Sequence, residues 1–285
     1  QRSLRKNLVQ LAENSSVPLI RDRLRNFDVI YSSAPTETVE DLMCHGLGIV
    51  AIDRMVELSS NLDPQHISQL LLERHNRVGE KRTFGVRIKR LGEKGEWGSQ
   101  SYARALGSAL IERDPSLSVD LSNPEWWVKI ILEPASVSSI EKRIQGPGGL
   151  PTGVQGDVLA QLRTEDDVMS SFLIMRRGSR IIPILESKSE FIELLSKWDP
   201  FLGVRSRTRD ERGEMFQRPA WGVVGLTIEQ AKPHIQRRET AIKTTPLSTL
   251  EPLCGWTEDE KQALWRHVKA PSQYLPHPDK ASWIE

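Results

Sequence analysis

Ile144-Gln145-Gly146-Pro147-Gly148-Gly149-Leu150-Pro151-Thr152-Gly153-Val154-Gln155-Gly156 is the stretch on which the fold of this chain turns. Its glycines and prolines read as an ordered hinge, and an apolar strand, Val158-Leu159-Ala160-Gln161-Leu162, follows directly. A helix comes next and ends at Arg176-Arg177-Gly178. Strand, loop and helix in that order are where an α/β domain sets the glycines that cradle a nucleotide's phosphates. Here the loop is Arg163-Thr164-Glu165-Asp166-Asp167, and it holds no glycine. The sequence predicts the scaffold of a nucleotide enzyme without its phosphate cradle.

The C-terminal part repeats the alternation. Arg180–Leu185 reads as a second strand, Ser189–Trp198 as a helix, Trp221–Gly225 as a third strand and Thr257–Val268 as a late helix. Between them lie a charged, arginine-rich loop, Gly203–Arg218, and a polar loop, Thr240–Thr249. Parallel strands joined by helices imply a doubly wound sheet with any ligand site at the strand C-termini.

Upstream the order is mixed. Leu4, Leu8 and Leu11 sit at helical spacing behind a possible Ser3 cap, and Leu19–Tyr31 reads as one strand with Arg21, Arg23 and Arg25 on a common face. Pro35-Thr36-Glu37-Thr38 opens a helix that runs to about His45, and Gly46–Ile52 returns to extended backbone. A helix follows Asp63-Pro64. Thr83–Arg90 is a strand with one apolar and one basic face, Ser99 starts another helix, and Val119–Leu121 and Trp126–Leu132 are further strands. This pattern is α+β.

The 38% hydrophobic and 27% charged residues are those of an ordinary soluble globular protein, and no apolar run is long enough to cross a bilayer. Cys44 and Cys254 lie in apolar surroundings and read as buried free thiols; with the histidines at 66, 75, 234, 267 and 277 they form no metal-ligand spacing. A reducing, cytoplasmic setting is expected. The net charge is only +1, but between Leu71 and Lys94 eight basic residues face three acids. Such a patch fits phosphate-backbone binding and fits a solvated surface equally well. Trp126-Trp127 reads as packing, whereas Trp97, in a glycine-rich loop, could stack on a base.

Together these residues resemble the tRNA 4-thiouridine synthetases, also known as thiamine-biosynthesis sulfurtransferases, over nearly the whole chain. Phe84–Arg90, the Ser99–Ile111 helix and Asp120–Leu132 look like a THUMP domain; Ile144–Gly156 looks like the family's inter-domain hinge; Met169–Gly178 looks like the helix behind its PP-loop. The resemblance implies an α+β N-terminal part (a ferredoxin-like unit, residues 1–60, and an RNA-binding THUMP domain, 61–147). An α/β doubly wound PP-loop ATPase-like domain, 148–285, would follow.

The departures from the family pattern carry the functional expectation. Its PP-loop, Ser-Gly-Gly-x-Asp-Ser, aligns with Leu162-Arg163-Thr164-Glu165-Asp166-Asp167, which keeps only Asp166. Three carboxylates there oppose a polyanion, though they could bind Mg²⁺; a solvated acidic turn is the simpler reading. A second family stretch aligns with Gly225–Gln230 and keeps Gln230. The late catalytic cysteine would fall near Asp279–Ser282, where there is none, and sulfur transfer needs a thiolate. The expectation is therefore a tRNA-binding protein without catalytic residues, cofactor or metal. Its vestigial nucleotide site would be Arg163, Thr164, Glu165, Asp166, Asp167 and Gln230. It would grip RNA through Arg87, Lys89, Arg90, Lys94, Lys142 and Arg143, with Lys81 and Arg82 behind them. Partners would be tRNA, a separate tRNA-modifying enzyme where the protein acts as an adaptor, and, by resemblance alone, a second copy; no membrane is involved. The rival expectation is a divergent tRNA sulfurtransferase that uses ATP and Mg²⁺ and takes its thiol from a partner.

Overall fold

A computed structural model describes residues 1–24, 27–92, 95–184, 186–205, 220–232 and 248–274, with side chains 22–24, 27 and 205 left aside. The chain forms two compact units. One comprises Gln1–Arg21, Ile30–Ile52 and Gln145–Glu285; the other comprises Asp22–Val29 and Asp53–Ile144. By contacts there are thus two units where the sequence reading has three domains.

The chain opens with helix α1, Arg2–Asn14, which has Gln1 at its N-cap, so Ser3 lies inside the helix and is not its cap. Strands β1, Ile20–Leu24, and β2, Phe27–Tyr31, form a two-stranded sheet where a single strand is expected; Arg23 and Arg25 fall outside the described side chains. Helix α2 spans Thr36–Cys44 as its N-terminal signature predicts. Leu11, Ala12, Val17, Leu42 and Met43 form a buried apolar cluster in this part.

The second unit is built on five strands. They are β3, Ala51–Ser59; β4, Arg82–Arg90; β5, Leu117–Val119; β6, Trp126–Leu132; and β7, Val137–Gln145. Their order is β3-β7-β6-β4-β5, with β4 parallel to both β5 and β6 and β6 antiparallel to β7. Helix α3, Pro64–Glu73, starts at Asp63, whose carboxylate accepts the Gln65 N–H, with Pro64 needing no donor of its own at the first position. Helix α4, Ser99–Arg113, presents Tyr102, Leu106 and Leu110 to the sheet. With Ile67, Leu71, Phe84, Val128, Ile130 and Leu132 they form the core, so both helices cover one face of the sheet. The opposite face carries a smaller patch of Val29, Leu91 and Ile131, joined by Met55 and Ile140.

The first unit resumes after β7. Strands β8, Asp157–Ala160; β9, Arg180–Pro183; β10, Gly222–Val224; and β11, Ser248–Thr249, form one parallel sheet in the order β11-β10-β8-β9. β11 replaces the C-terminal end of the loop expected over Thr240–Thr249. Helices α5, Glu165–Arg176; α6, Ser189–Ser196; α7, Leu202–Arg205; α8, Ile228–Ala231; and α9, Glu258–Lys269, complete the unit. β8 is buried along its whole length, as a central parallel strand covered on both faces should be. The fold is α+β followed by a doubly wound α/β sheet. Most of the arginine-rich loop, 206–219, lies outside the described residues.

Ile144–Gly156 is ordered, as its sequence implies. Gly48 N–H donates to the Gly148 carbonyl, Gly148 N–H to the Ile49 carbonyl, and Gly146 N–H to the Val50 carbonyl, at 2.7–3.0 Å. The N–H groups of Gly153, Val154 and Gln155 converge on the Gly178 carbonyl at the end of α5. A Cβ at Gly146 would sit 2.2 Å from the Ile49 oxygen, so only glycine allows this approach.

Candidate nucleic-acid interface and strand-end crevice

Strand alternation sorts the basic residues of the second unit. Phe84, Val86 and Ile88 face α3 and α4, which turns Arg87 and Lys89 to the other face, where both are exposed. There the register sets Trp127 opposite Gly85 and Lys129 opposite Arg87. The Trp127 indole lies against Gly85, where a Cβ would meet its Cζ3 at 2.7 Å, and the Arg87 guanidinium covers the ring at 3.7 Å. On β7, Ser138 pairs with Ile131 and Ser139 with Ile130. Even-numbered β7 residues therefore share the face of Arg87, which brings exposed Lys142 to it. Lys129 was missed by the sequence reading; its position directly opposite Arg87 is a matter of register, for which the sequence holds no local signal.

The remaining candidates go elsewhere. Arg143 is on the opposite face by the same alternation and pairs with Asp53 at 3.3 Å. Arg90 is half-buried and lines a shallow hollow with Leu62, Trp97, Leu132 and Pro134. Trp97 packs edge-on against Tyr102 and the core, which corrects its reading as a base platform. Lys81 is exposed just before β4, and Lys94 lies outside the described residues. Arg82 is corrected too: at 2% exposure it has no solvent face for RNA. It donates to His75 Nε2 at 2.9 Å, lies over Trp126 and approaches Asp114 at 3.9 Å. Burial first, then Arg82 and Arg77, hold His75 below its usual pKa and so keep it a neutral acceptor. At Asp114 burial pushes upward, but bonds from the Ser116 hydroxyl and the Gly79 and Ser116 amides, with Arg82, bring its carboxyl below the usual range.

In the first unit, the strand order reverses direction between β8 and β10. β8 continues to β9 on one side, and β10 then returns to the other, so the C-terminal ends of β8 and β10 flank the crevice where such sheets bind ligands. The residues expected to be a vestigial nucleotide site do meet there. Thr164 caps α5: its Oγ accepts the Asp167 N–H at 3.2 Å. The Asp167 carboxylate in turn accepts the backbone N–H groups of Arg163 and Thr164 at 3.0 and 2.9 Å. The Arg163 guanidinium bridges the crevice to the Gly225 carbonyl at 3.1 Å. Gly225 is held at φ +66°, and a Cβ there would lie 2.7 Å from both Asp167 Oδ1 and the Gln161 carbonyl oxygen. Asp166 pairs with Lys261 at 2.8 Å, a bond that raises the lysine's pKa. Glu165 is exposed in the first turn.

This is more than a solvated acidic turn. A phosphate at such a loop is held by backbone N–H groups, and two of them here already serve a carboxylate of the chain itself. Gln230, the other retained family residue, receives the Thr227 N–H on its side-chain oxygen at 2.9 Å in a capping box on α8.

Cys44 is buried, but Cys254 is exposed, against expectation, because it sits in the turn whose Cys254 N–H bonds the Glu251 carbonyl. The late cysteine position, 279–282, lies outside the described residues. Among the described residues, no group of three or more His, Cys, Asp or Glu side chains is placed to hold a metal ion, and no helix is long and apolar enough to cross a membrane.

No family model matches the chain. It is similar to tRNA sulfurtransferases. With that of Serratia proteamaculans it is 32% identical over 183 residues, 63% of this chain and 36% of the relative. With that of Erwinia tasmaniensis it is 37% identical over 120 residues, 42% of this chain and 25% of the relative. The chain thus spans about a third or less of the curated relatives' length. Two solved structures share its fold. The protein PH1313 of Pyrococcus horikoshii superposes with a TM-score of 0.65 at 18% identity, covering 94% of this chain and 92% of that one. A 4-thiouridine synthetase in complex with RNA and with bound ATP superposes with a TM-score of 0.62 at 17% identity, covering 94% and 79%.

Proposed function

We propose that this protein binds tRNA in the service of tRNA modification and does not itself turn over ATP. Its kinship with tRNA sulfurtransferases supplies the RNA class. The contact surface in this reading is the sheet face opposite α3 and α4, with Arg87, Lys89, Lys129 and Lys142, where the Arg87 guanidinium lies over Trp127. Phosphate neutralisation by such a face gives affinity that falls steeply with salt and little sequence preference. Arg90, Arg143 and Lys81 are secondary contacts in this reading, the first two displaced from that face and Lys81 lying just before β4.

The observation that carries the ATP half is the Asp167 carboxylate on the amides of Arg163 and Thr164. An anion at that loop would have to displace a tethered carboxylate and approach two more, Glu165 and Asp166. The rival reading, a divergent sulfurtransferase, rests on Asp166, which is ion-paired with Lys261, and on Gln230, whose side-chain oxygen accepts the Thr227 N–H. Thermal denaturation with and without MgATP tests this: an unchanged midpoint is expected, and a rise that grows with MgATP would restore the enzyme reading. Capture of a modifying enzyme that persists after ribonuclease treatment would make the protein an adaptor; capture lost with the RNA would make it a simple binder.

A further inference from the structure

The first unit buries two imidazoles around one indole. His45, directly after α2, and His267, on α9, are 6% and 2% exposed, and Trp198, after α6, is 1% exposed between them. Ring centroids stand 4.9 Å apart for His45 and Trp198 and 5.4 Å for Trp198 and His267. Phe172 of α5 closes the cage, 4.6 Å from Trp198 and 5.7 Å from His267. Trp198 is fixed by its own donor, Nε1–H to the Val268 carbonyl at 3.0 Å.

Each imidazole has its tautomer set. His45 Nδ1 is 2.8 Å from the Asp41 carbonyl and His267 Nδ1 is 2.8 Å from the Tyr274 carbonyl; a carbonyl only accepts, so each Nδ1 carries the proton. Each Nε2 is then a bare lone pair, buried and with no hydrogen-bond partner. Protonation would turn each into a buried donor with no acceptor among the described residues.

We propose that the His45–Trp198–His267 cage is an acid-released latch that holds α2 on the core of the α/β sheet. Leu47, two residues beyond His45, is buried in the core built by Val158, Phe172 and Val268, so the latch sits at the root of that docking. The charged groups around the cage act differently on its two imidazoles. Around His45 they are the Asp41 carboxylate at 3.6 Å and Lys197; around His267 they are Arg176 and His45 itself. At His45 the bond to the Asp41 carbonyl and the Asp41 carboxylate favour the charged form and Lys197 opposes it less; at His267 the bond to the Tyr274 carbonyl favours it, and Arg176 and His45 oppose it. Burial is the largest cause in both: it lowers His45 and brings His267 down to about 4.

The direction follows from linkage. Between pH 6.5 and about 4 the unfolded chain takes up a proton at His267 that the folded one refuses, so stability falls with falling pH. At pH 5 the folded-to-unfolded ratio drops about 30-fold from His267 alone. The test is hydrogen exchange of the full chain at pH 7.5 and 5.0, corrected for intrinsic rates, beside thermal melts of wild type and the His45→Gln/His267→Gln double variant. Peptides covering 36–47 should lose protection at pH 5.0 before those covering β8, and the double variant should have a flatter melt-versus-pH profile. Unchanged protection at 36–47, or a double variant with the wild-type slope, would overturn the latch. Imidazole NMR of the wild type keeps the question open to refutation if that variant does not fold. Neither His45 nor His267 should titrate near 6.5; titration of both there would overturn it as well.

Discussion

Asp167→Ala separates a built-in anion from a solvated acidic turn. The wild-type carboxylate accepts two backbone N–H bonds, from Arg163 and Thr164, and lies in the first turn of α5, where a negative charge suits the helix dipole. Both amides are at the surface, so water can replace the carboxylate and the loss stays near that of a helix cap, about 1–2 kcal/mol. For a protein of this size that lowers the melting midpoint by roughly 2–3 °C. Asp166→Ala is the matched control: it removes the same charge one residue away, together with a solvent-screened ion pair to Lys261 that contributes little. The assay is paired thermal and urea denaturation of the two variants, with inorganic pyrophosphate titrated into each. Asp167→Ala should be the less stable and the only one whose midpoint rises with pyrophosphate. Equal stabilities and equal indifference to pyrophosphate would refute the reasoning, since Asp167 would then be one more surface acid.

Arg87→Ala/Lys89→Ala should weaken tRNA binding at least tenfold and reduce the salt slope by about two, whereas Arg90→Ala/Arg143→Ala should change it little; anisotropy at two salt concentrations reads both, and equal losses would contradict the face assignment. Gly85→Ala forces a Cβ to 2.7 Å from the Trp127 ring and 2.9 Å from the Asp120 carbonyl oxygen, which should cost about 1–3 kcal/mol in urea denaturation. Gly146→Ala meets the Ile49 carbonyl oxygen at 2.2 Å, backbone against backbone, and should destabilise by more than about 3 kcal/mol. Gly203→Ala, with nothing within 4 Å, should be close to neutral in the same experiment.

Strongly periodic segments were legible in the sequence. β4 shows its two faces, β6 is apolar but for Lys129, and the glycines of 146–156 announce the close approaches they make. β7 was not foreseen, because Val137, Ile140 and Ile144 are spaced like a helix face while lying on a strand. β11 is two residues long and has no room for a pattern. The basic residues were legible as a patch but not as a surface. Arg82 looks like its neighbours until Asp114 and His75, far along the chain or around a turn, bury it, and only the register of β4 with β6 brings Lys129 beside Arg87. At the crevice, the sequence showed three acids and a missing glycine. The signal for their arrangement was present in the spacing Thr164-x-x-Asp167, a capping box repeated at Thr227-x-x-Gln230 and Thr257-x-x-Glu260. His45 drew no attention because a lone histidine at a helix end has no spacing partner; Trp198 and His267, more than 150 residues away, supply its surroundings.

The most direct test of the account is calorimetric titration of MgATP into the protein, run beside a tRNA titration at two salt concentrations. The account predicts tRNA binding that weakens steeply with salt and no heat of ATP binding. A saturable ATP signal would contradict it, because the amides at Arg163 and Thr164 would then be free to hold phosphate.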